Sequence, residues 1–166
     1  HRRQSFWVRS EDTRPGNEVF QFPWTYQIAE QKWVPIDDAF VRPPTGARDY
    51  SPWNENCISC HAVAGNPGLD LETRFLYSQV AEFGISCEAC HGPGKQHMEV
   101  CRDRDNLPAD LAIFNPAKVG DHRLSTQACG QCHSFSFSKD AQRWWTEGRK
   151  YRPGQDLHEV RNVLQL

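Results

Sequence analysis

Three times the chain spells Cys-x-x-Cys-His: Cys57-Cys60-His61, Cys87-Cys90-His91 and Cys129-Cys132-His133. Few features restrict a fold as much, because this pentapeptide is the attachment site of a c-type haem. Two thiols one turn apart add across the porphyrin vinyl groups, and the adjoining imidazole gives the iron an axial nitrogen. Zinc ribbons and iron–sulfur sites also use Cys-x-x-Cys pairs, but neither requires His straight after each pair. His fills only 7 of 166 positions, so three such placements by chance fall on the order of 10⁻⁴. Adjacent Cys pairs are also a poor disulfide framework. The spacing implies a multihaem cytochrome with three covalent haem c groups.

A chain of this length predicts one domain, residues 1–166, with a β-like haem-free segment over 1–50 and a three-haem segment over 51–166. Leu, Ile, Val and Phe total 33 of 166 residues, near the level at which chains fail to fold unaided. Yet there are 6 Trp, 9 Phe and 4 Tyr, and aromatic rings pack well against a flat apolar macrocycle. The expected fold therefore has little regular structure and a core built largely from haem. Folding should depend on haem attachment, as small metallo-domains depend on their metal.

The side-chain charge of −2 argues against a nucleic-acid partner, since such binders concentrate Lys and Arg. No apolar run reaches the roughly 18 residues of a membrane span. Haem c is attached outside the cytoplasm, so a periplasmic or extracellular location is expected, with the export signal removed or carried elsewhere on a longer chain. Six of seven Cys are used by the motifs, leaving Cys101 as an unpaired thiol expected to be buried and inert.

Ser5–Arg9, Val19–Phe22 and Lys32–Ile36 read as strands of an N-terminal β-meander, broken at Pro15-Gly16, Pro23 and Pro35. From Pro43-Pro44 onward, loops and short helices around the haem sites are expected. Residues Glu72 to Phe83 suggest a helix of weak apolar period. Ser125 is a candidate N-cap for a helix through Cys129 to His133, and Ser138 for one through Trp144-Trp145 ending at Gly148. The motifs are spaced too unequally for a solenoid.

Each iron needs a sixth ligand, which sets spin state and potential. The candidates are His97, His122, His158 and His1, enough to make every haem bis-histidine; Met98 allows at most one His/Met haem. His97 follows His91 by six residues through Gly92-Pro93-Gly94, and six residues span at most about 20 Å. After a sharp turn that scarcely rounds a porphyrin edge, so His97 is expected to ligate a neighbouring haem. Arg123, Arg152 and Lys95 are candidates to pair with propionates, or else plain surface charge.

The segment Gly84-Ile85-Ser86-Cys87-Glu88-Ala89-Cys90-His91-Gly92-Pro93-Gly94, with His97 after it, resembles the multihaem cytochromes related to the tetrahaem electron acceptor of hydroxylamine oxidoreductase. Trp53-Asn54, Asn115-Pro116-Ala117-Lys118, Cys129-Gly130-Gln131-Cys132-His133-Ser134 and Tyr151-Arg152-Pro153-Gly154 fit the same resemblance. It implies that His97 is a distal ligand to another haem. It also implies that His1 matches the second of a histidine pair that follows a further, upstream haem motif. That upstream motif is absent here, so a longer polypeptide with at least one more haem is expected.

The expected function is electron transfer through low-spin haems, as a carrier or conduit. Its partners would be other redox proteins or neighbouring cytochrome subunits, with a homo-oligomer or filament as a special case. The alternative is a redox enzyme, of nitrogen- or sulfur-oxide reductase type, with one open haem site. A third reading is a module that docks a larger complex.

Overall fold

A computed structural model describes residues 2–9, 15–36 and 52–164. Strands β1 (Arg3–Arg9), β2 (Val19–Gln27) and β3 (Lys32–Pro35) form an antiparallel sheet in the order β1-β2-β3. Their inward aromatics gather on Trp33, whose ring lies 5.3 Å from both Phe6 and Tyr26 and 6.2 Å from Phe22. Strand β2 runs straight through Pro23, where a break was expected. The register explains why. Ser5 pairs with Thr25 but Trp7 with Gln21, so Phe22, Pro23 and Trp24 bulge opposite Phe6. A bulge asks for no ladder N–H, the one group proline lacks.

The expected helix over Glu72–Phe83 is absent. Strands β4 (Ala62–Val63) and β5 (Glu82–Phe83) pair antiparallel instead, and bridges at Asn66–Gln79 and Leu69–Leu76 extend the pair toward a tip. Asp70 forms that tip by accepting the Glu72 and Thr73 amides, both at 2.9 Å. Amides taken by a side chain favour a turn over helix propagation.

Four short helices follow: α1 (Cys87–His91), α2 (Lys95–Val100), α3 (His122–His133) and α4 (Ala141–Glu147). Both longer helices exist as expected, but their caps differ. Asp121 caps α3 by accepting the Arg123 amide at 2.8 Å, and Ser125 lies inside the helix. Asp140 caps α4 through the Arg143 amide at 2.9 Å, while Ser138 ends strand β6. In each case an Asp nearer the helix start supplies a stronger acceptor than the serine hydroxyl. Strand β6 (Ser136–Ser138) pairs with β7 (Arg161–Val163).

Gly148 ends α4, as expected, with φ of +75°. A Cβ there would sit 2.5 Å from the Gly65 carbonyl oxygen and 2.6 Å from Asn66 Cα. Gly148→Ala is therefore expected to cost about 2 kcal/mol, from left-handed strain plus overpacking. Denaturant unfolding of the haem-loaded protein measures it; a cost under about 0.5 kcal/mol would show that the hairpin simply moves aside.

The apolar interior is small. Among the described residues the buried apolar side chains are Ile58, Ala62, Val63, Leu76, Ala128, Tyr151 and Leu157. Large apolar groups stand in solvent beside the Cys motifs: Phe83 is 78% exposed, Ile85 65% and Phe135 84%. A protein of this size does not normally leave such rings open.

Candidate functional site

Each motif is presented on a different local frame. The first lies on a 3₁₀ turn, Cys57–Ser59, closed by the His61 amide donating to the Cys57 carbonyl at 2.8 Å. The second is helix α1 itself, and the third is the C-terminal end of α3. In the second and third motifs the helix puts both Cys and the His on one face, whereas in the first the turn ends at Ser59 and Cys60 and His61 follow it. Cys87, Cys90 and Cys129 are exposed, while Cys57, Cys60 and Cys132 are half-buried.

The three motifs converge. Gln131, inside the third, is buried; it donates to the Ala89 carbonyl of the second at 2.7 Å and accepts from Arg149 Nη1 at 2.7 Å. Helix α1 packs on β4, which directly follows His61. The Cys60 and Cys132 thiols lie close enough to shift each other's ionisation. The neighbouring Cys132 thiol, helped by the Ser59 hydroxyl and the Arg149 guanidinium, pulls the Cys60 thiol down to about 5 against the opposing effect of burial. Cys132 is pushed up, first because it keeps its proton toward the Cys60 sulfur and then by burial. A cavity of about 420 Å³ opens where they meet, lined by Cys60, Val63, Ala89, Pro93, Cys132 and Tyr151 among others.

Two imidazoles are oriented by one backbone segment. His91 Nδ1 lies 2.8 Å from the Phe114 carbonyl, and His97 Nδ1 lies 2.7 Å from the Leu111 carbonyl. A carbonyl accepts only, so each Nδ1 carries the proton and each Nε2 keeps its lone pair free. Metal-ligating histidines use this arrangement. The Leu111–Phe114 turn has no sequence signature of its own; its nearest cue is Asp110, which accepts the Ala112 amide at 2.9 Å. Cys101 is half-buried, with its sulfur 3.6 Å from His97 Nδ1 one helical turn away.

The remaining histidines are less constrained. His61 and His133 are exposed. His122 is exposed at the first position of α3, and His158 is half-buried in the 3₁₀ turn Leu157–Glu159. His1 lies outside the described residues. Arg123 faces the carboxylates of Asp121 at 3.6 Å and Asp156 at 4.0 Å. Arg149 lies beside the motif cysteines, with Nη1 3.8 Å from Cys132 Sγ.

The donor set fits a c-type haem. Each motif keeps two thiols and an imidazole within about one turn of backbone, and the His91 and His97 imidazoles have Nδ1 held. The exposed side chains of Phe83, Ile85 and Phe135 flank the second and third motifs in sequence, apolar surface of the kind a porphyrin face covers. Among the described residues no three His, Cys, Asp or Glu side chains gather as a metal-ion site, as a shared zinc centre would require.

Comparisons agree with that chemistry. The family described as "Cytochrome c554 and c-prime" matches residues 37–92, which hold the first two motifs. The "C-type polyheme cytochrome OmcC" of Geobacter sulfurreducens is 31% identical over 80 residues, 47% of this chain and 9% of that protein. The crystal structure of the outer cell wall cytochrome OcwA superposes with a TM-score of 0.59 at 21% identity. That match covers 98% of this chain and 31% of OcwA, so it speaks to fold. The chain spans less than a third of either protein's length. In sequence the chain resembles a c-type polyhaem cytochrome, and in fold an outer cell wall cytochrome.

Proposed function

We propose that the chain transfers electrons through three c-type haems. These would be held by Cys57 and Cys60, Cys87 and Cys90, and Cys129 and Cys132, with His61, His91 and His133 as the proximal ligands. The convergence of all three motifs on one cavity carries this reading. Contact between the Cys60 and Cys132 sulfurs would bring the vinyl edges of the first and third haems together. The Gln131–Ala89 bond would tie the second haem to that pair. Haem supplies reversible one-electron chemistry when bound. The chain's own task is to hold the rings close and to fix the imidazoles.

His97 is the foremost distal ligand, because its Nδ1 is already engaged by Leu111 and its Nε2 is free to ligate. Two of His122, His158 and His1 would supply the others, giving low-spin, six-coordinate irons. We place the protein outside the cytoplasm, since haem c is attached there. That agrees with the cell-wall location in OcwA's name and with a described chain in which no helix is long and apolar enough to cross a membrane. Other redox proteins or further cytochrome subunits are the partners this implies.

Intact mass and haem staining test the attachment: three covalent haems are expected, and fewer refutes the assignment of the motifs. The oxidised optical spectrum is expected to contain low-spin features only. A high-spin charge-transfer band that responds to cyanide or nitrite would favour an enzyme with an open iron. His97→Ala is expected to convert one haem of three to high spin while leaving haem content unchanged. An unaltered spectrum would remove His97 from the ligand set.

A further inference from the structure

We propose that the cavity between α4, β6 and β7 binds a small oxyanion, of the size and charge of sulfate or phosphate, between Arg149 and Arg161. The cavity measures about 130 Å³ and is walled by Lys139, Arg149, Lys150, Tyr151 and Arg161, with Asp140 and Glu159 on the same wall. Its room exceeds the roughly 10–15 Å³ that one water needs.

The two arginines lack a counter-charge. Arg161 gives Nε to Ser136 Oγ at 2.9 Å and Nη2 to the Ser136 carbonyl at 2.8 Å. Arg149 gives its hydrogen bonds to the side chain and carbonyl of Gln131 and, at 3.8 Å, to Cys132 Sγ. All of these partners are neutral, and neither arginine makes an ion pair among the described residues. Of the acids nearby, Asp140 caps α4 and Glu147 takes Arg143 at 3.0 Å and Lys150 at 3.1 Å, while Glu159 lines the cavity without an ion pair to either arginine among the described residues. Burial, together with repulsion from Arg149, makes the Arg161 charge harder to hold. Two half-buried guanidiniums near each other without an anion are an unfavourable arrangement.

A second observation points the same way. Tyr151 is 5% exposed, and its hydroxyl is buried without a hydrogen-bond partner. Buried hydroxyls are normally satisfied, and Tyr151 lines this cavity together with Arg149. The Cys60 and Cys132 sulfurs offer no lasting charge to the pair once they are thioethers, a point that rests on the haem assignment above. The same assignment favours a free anion over a propionate of the first or third haem. Propionates leave the porphyrin edge opposite the vinyl groups, whereas Cys60 and Cys132 mark the vinyl edges.

The test uses the haem-loaded chain, with intact mass confirming equal haem content in every variant. Calorimetric titration with sodium sulfate, against sodium chloride at equal ionic strength, is expected to show saturable binding of one ion. Sulfate should also lower a haem midpoint potential more than chloride does, because a bound anion disfavours the reduced, less positive iron. Arg161→Gln is expected to weaken binding at least tenfold, and Arg161→Lys to restore part of it. Should Arg161→Gln fail to fold, Lys139→Gln is read instead and is expected to weaken binding at least threefold. No saturable binding at full haem content overturns the proposal, as does binding unchanged by the charge-removing variant. A cavity already filled by a haem propionate gives the first of these results. Loss of haem would instead count against the assignment of the motifs.

Discussion

Produced without haem attachment, the chain is expected to lack a cooperative unfolding transition and to bind hydrophobic dyes. The reason lies in its interior. Seven buried apolar side chains, two of them alanines, are what the described residues offer as a core. Phe83, Phe135, Ile85 and Phe137 stand open beside the cysteines. Removing apolar surface from water is the main favourable term in folding, and here much of that surface has no protein partner. Attached haem would supply it. Calorimetry and circular dichroism on chain made with and without haem maturation measure the difference. A sharp native-like transition in the haem-free chain would sink the claim that haem builds the core.

The second large effect is expected at Asn54, which is 2% exposed. Its Oδ1 accepts the Val19 amide at 2.9 Å, and its Nδ2 donates to Ser78 Oγ at 2.8 Å and to the Asn17 carbonyl at 3.2 Å. Asn17 and Ser78 close the network: Asn17 Oδ1 accepts the Ser78 amide and Asn17 Nδ2 donates to the Ser78 carbonyl, both at 2.7 Å. One side chain thus pins the entry to β2, the hairpin of residues 62–83 and the turn that starts at Cys57. Asn54→Ala leaves several of these groups buried and unpaired, at a cost of about 2–4 kcal/mol. Denaturant titration of the haem-loaded protein measures it. A loss under about 0.5 kcal/mol would mean that water replaces the amide.

The value of a local signal in this chain depends on how local its cause is. The strands around Phe6, Val19–Phe22 and Trp33 were readable because aromatic and β-branched residues are concentrated there between turn signals. The stop at Gly148 was readable because a left-handed residue after a helix favours glycine. Pro23 misled because the bulge that accommodates it is set by the register with β1, not by β2 alone. Residues Glu72–Phe83 misled because Asp70, just outside the stretch, diverts its first amides into a turn. Ser125 and Ser138 were plausible caps, yet Asp121 and Asp140 stood closer to the true helix starts.

The Cys-x-x-Cys-His pentapeptides announce their chemistry from the letters alone, because two thiols and an imidazole need only one turn of backbone to share a face. Three different frames, a 3₁₀ turn, an isolated helix and the end of a longer helix, all provide that turn. Nothing within a pentapeptide says which motif meets which. That depends on contacts between distant residues: Gln131 on Ala89, Arg149 on Gln131, Cys60 on Cys132, and the Leu111 and Phe114 carbonyls on His97 and His91. Spacing along the chain names the cofactor, whereas the packing of segments far apart in sequence sets how close the three sites lie and which imidazoles are held ready to ligate.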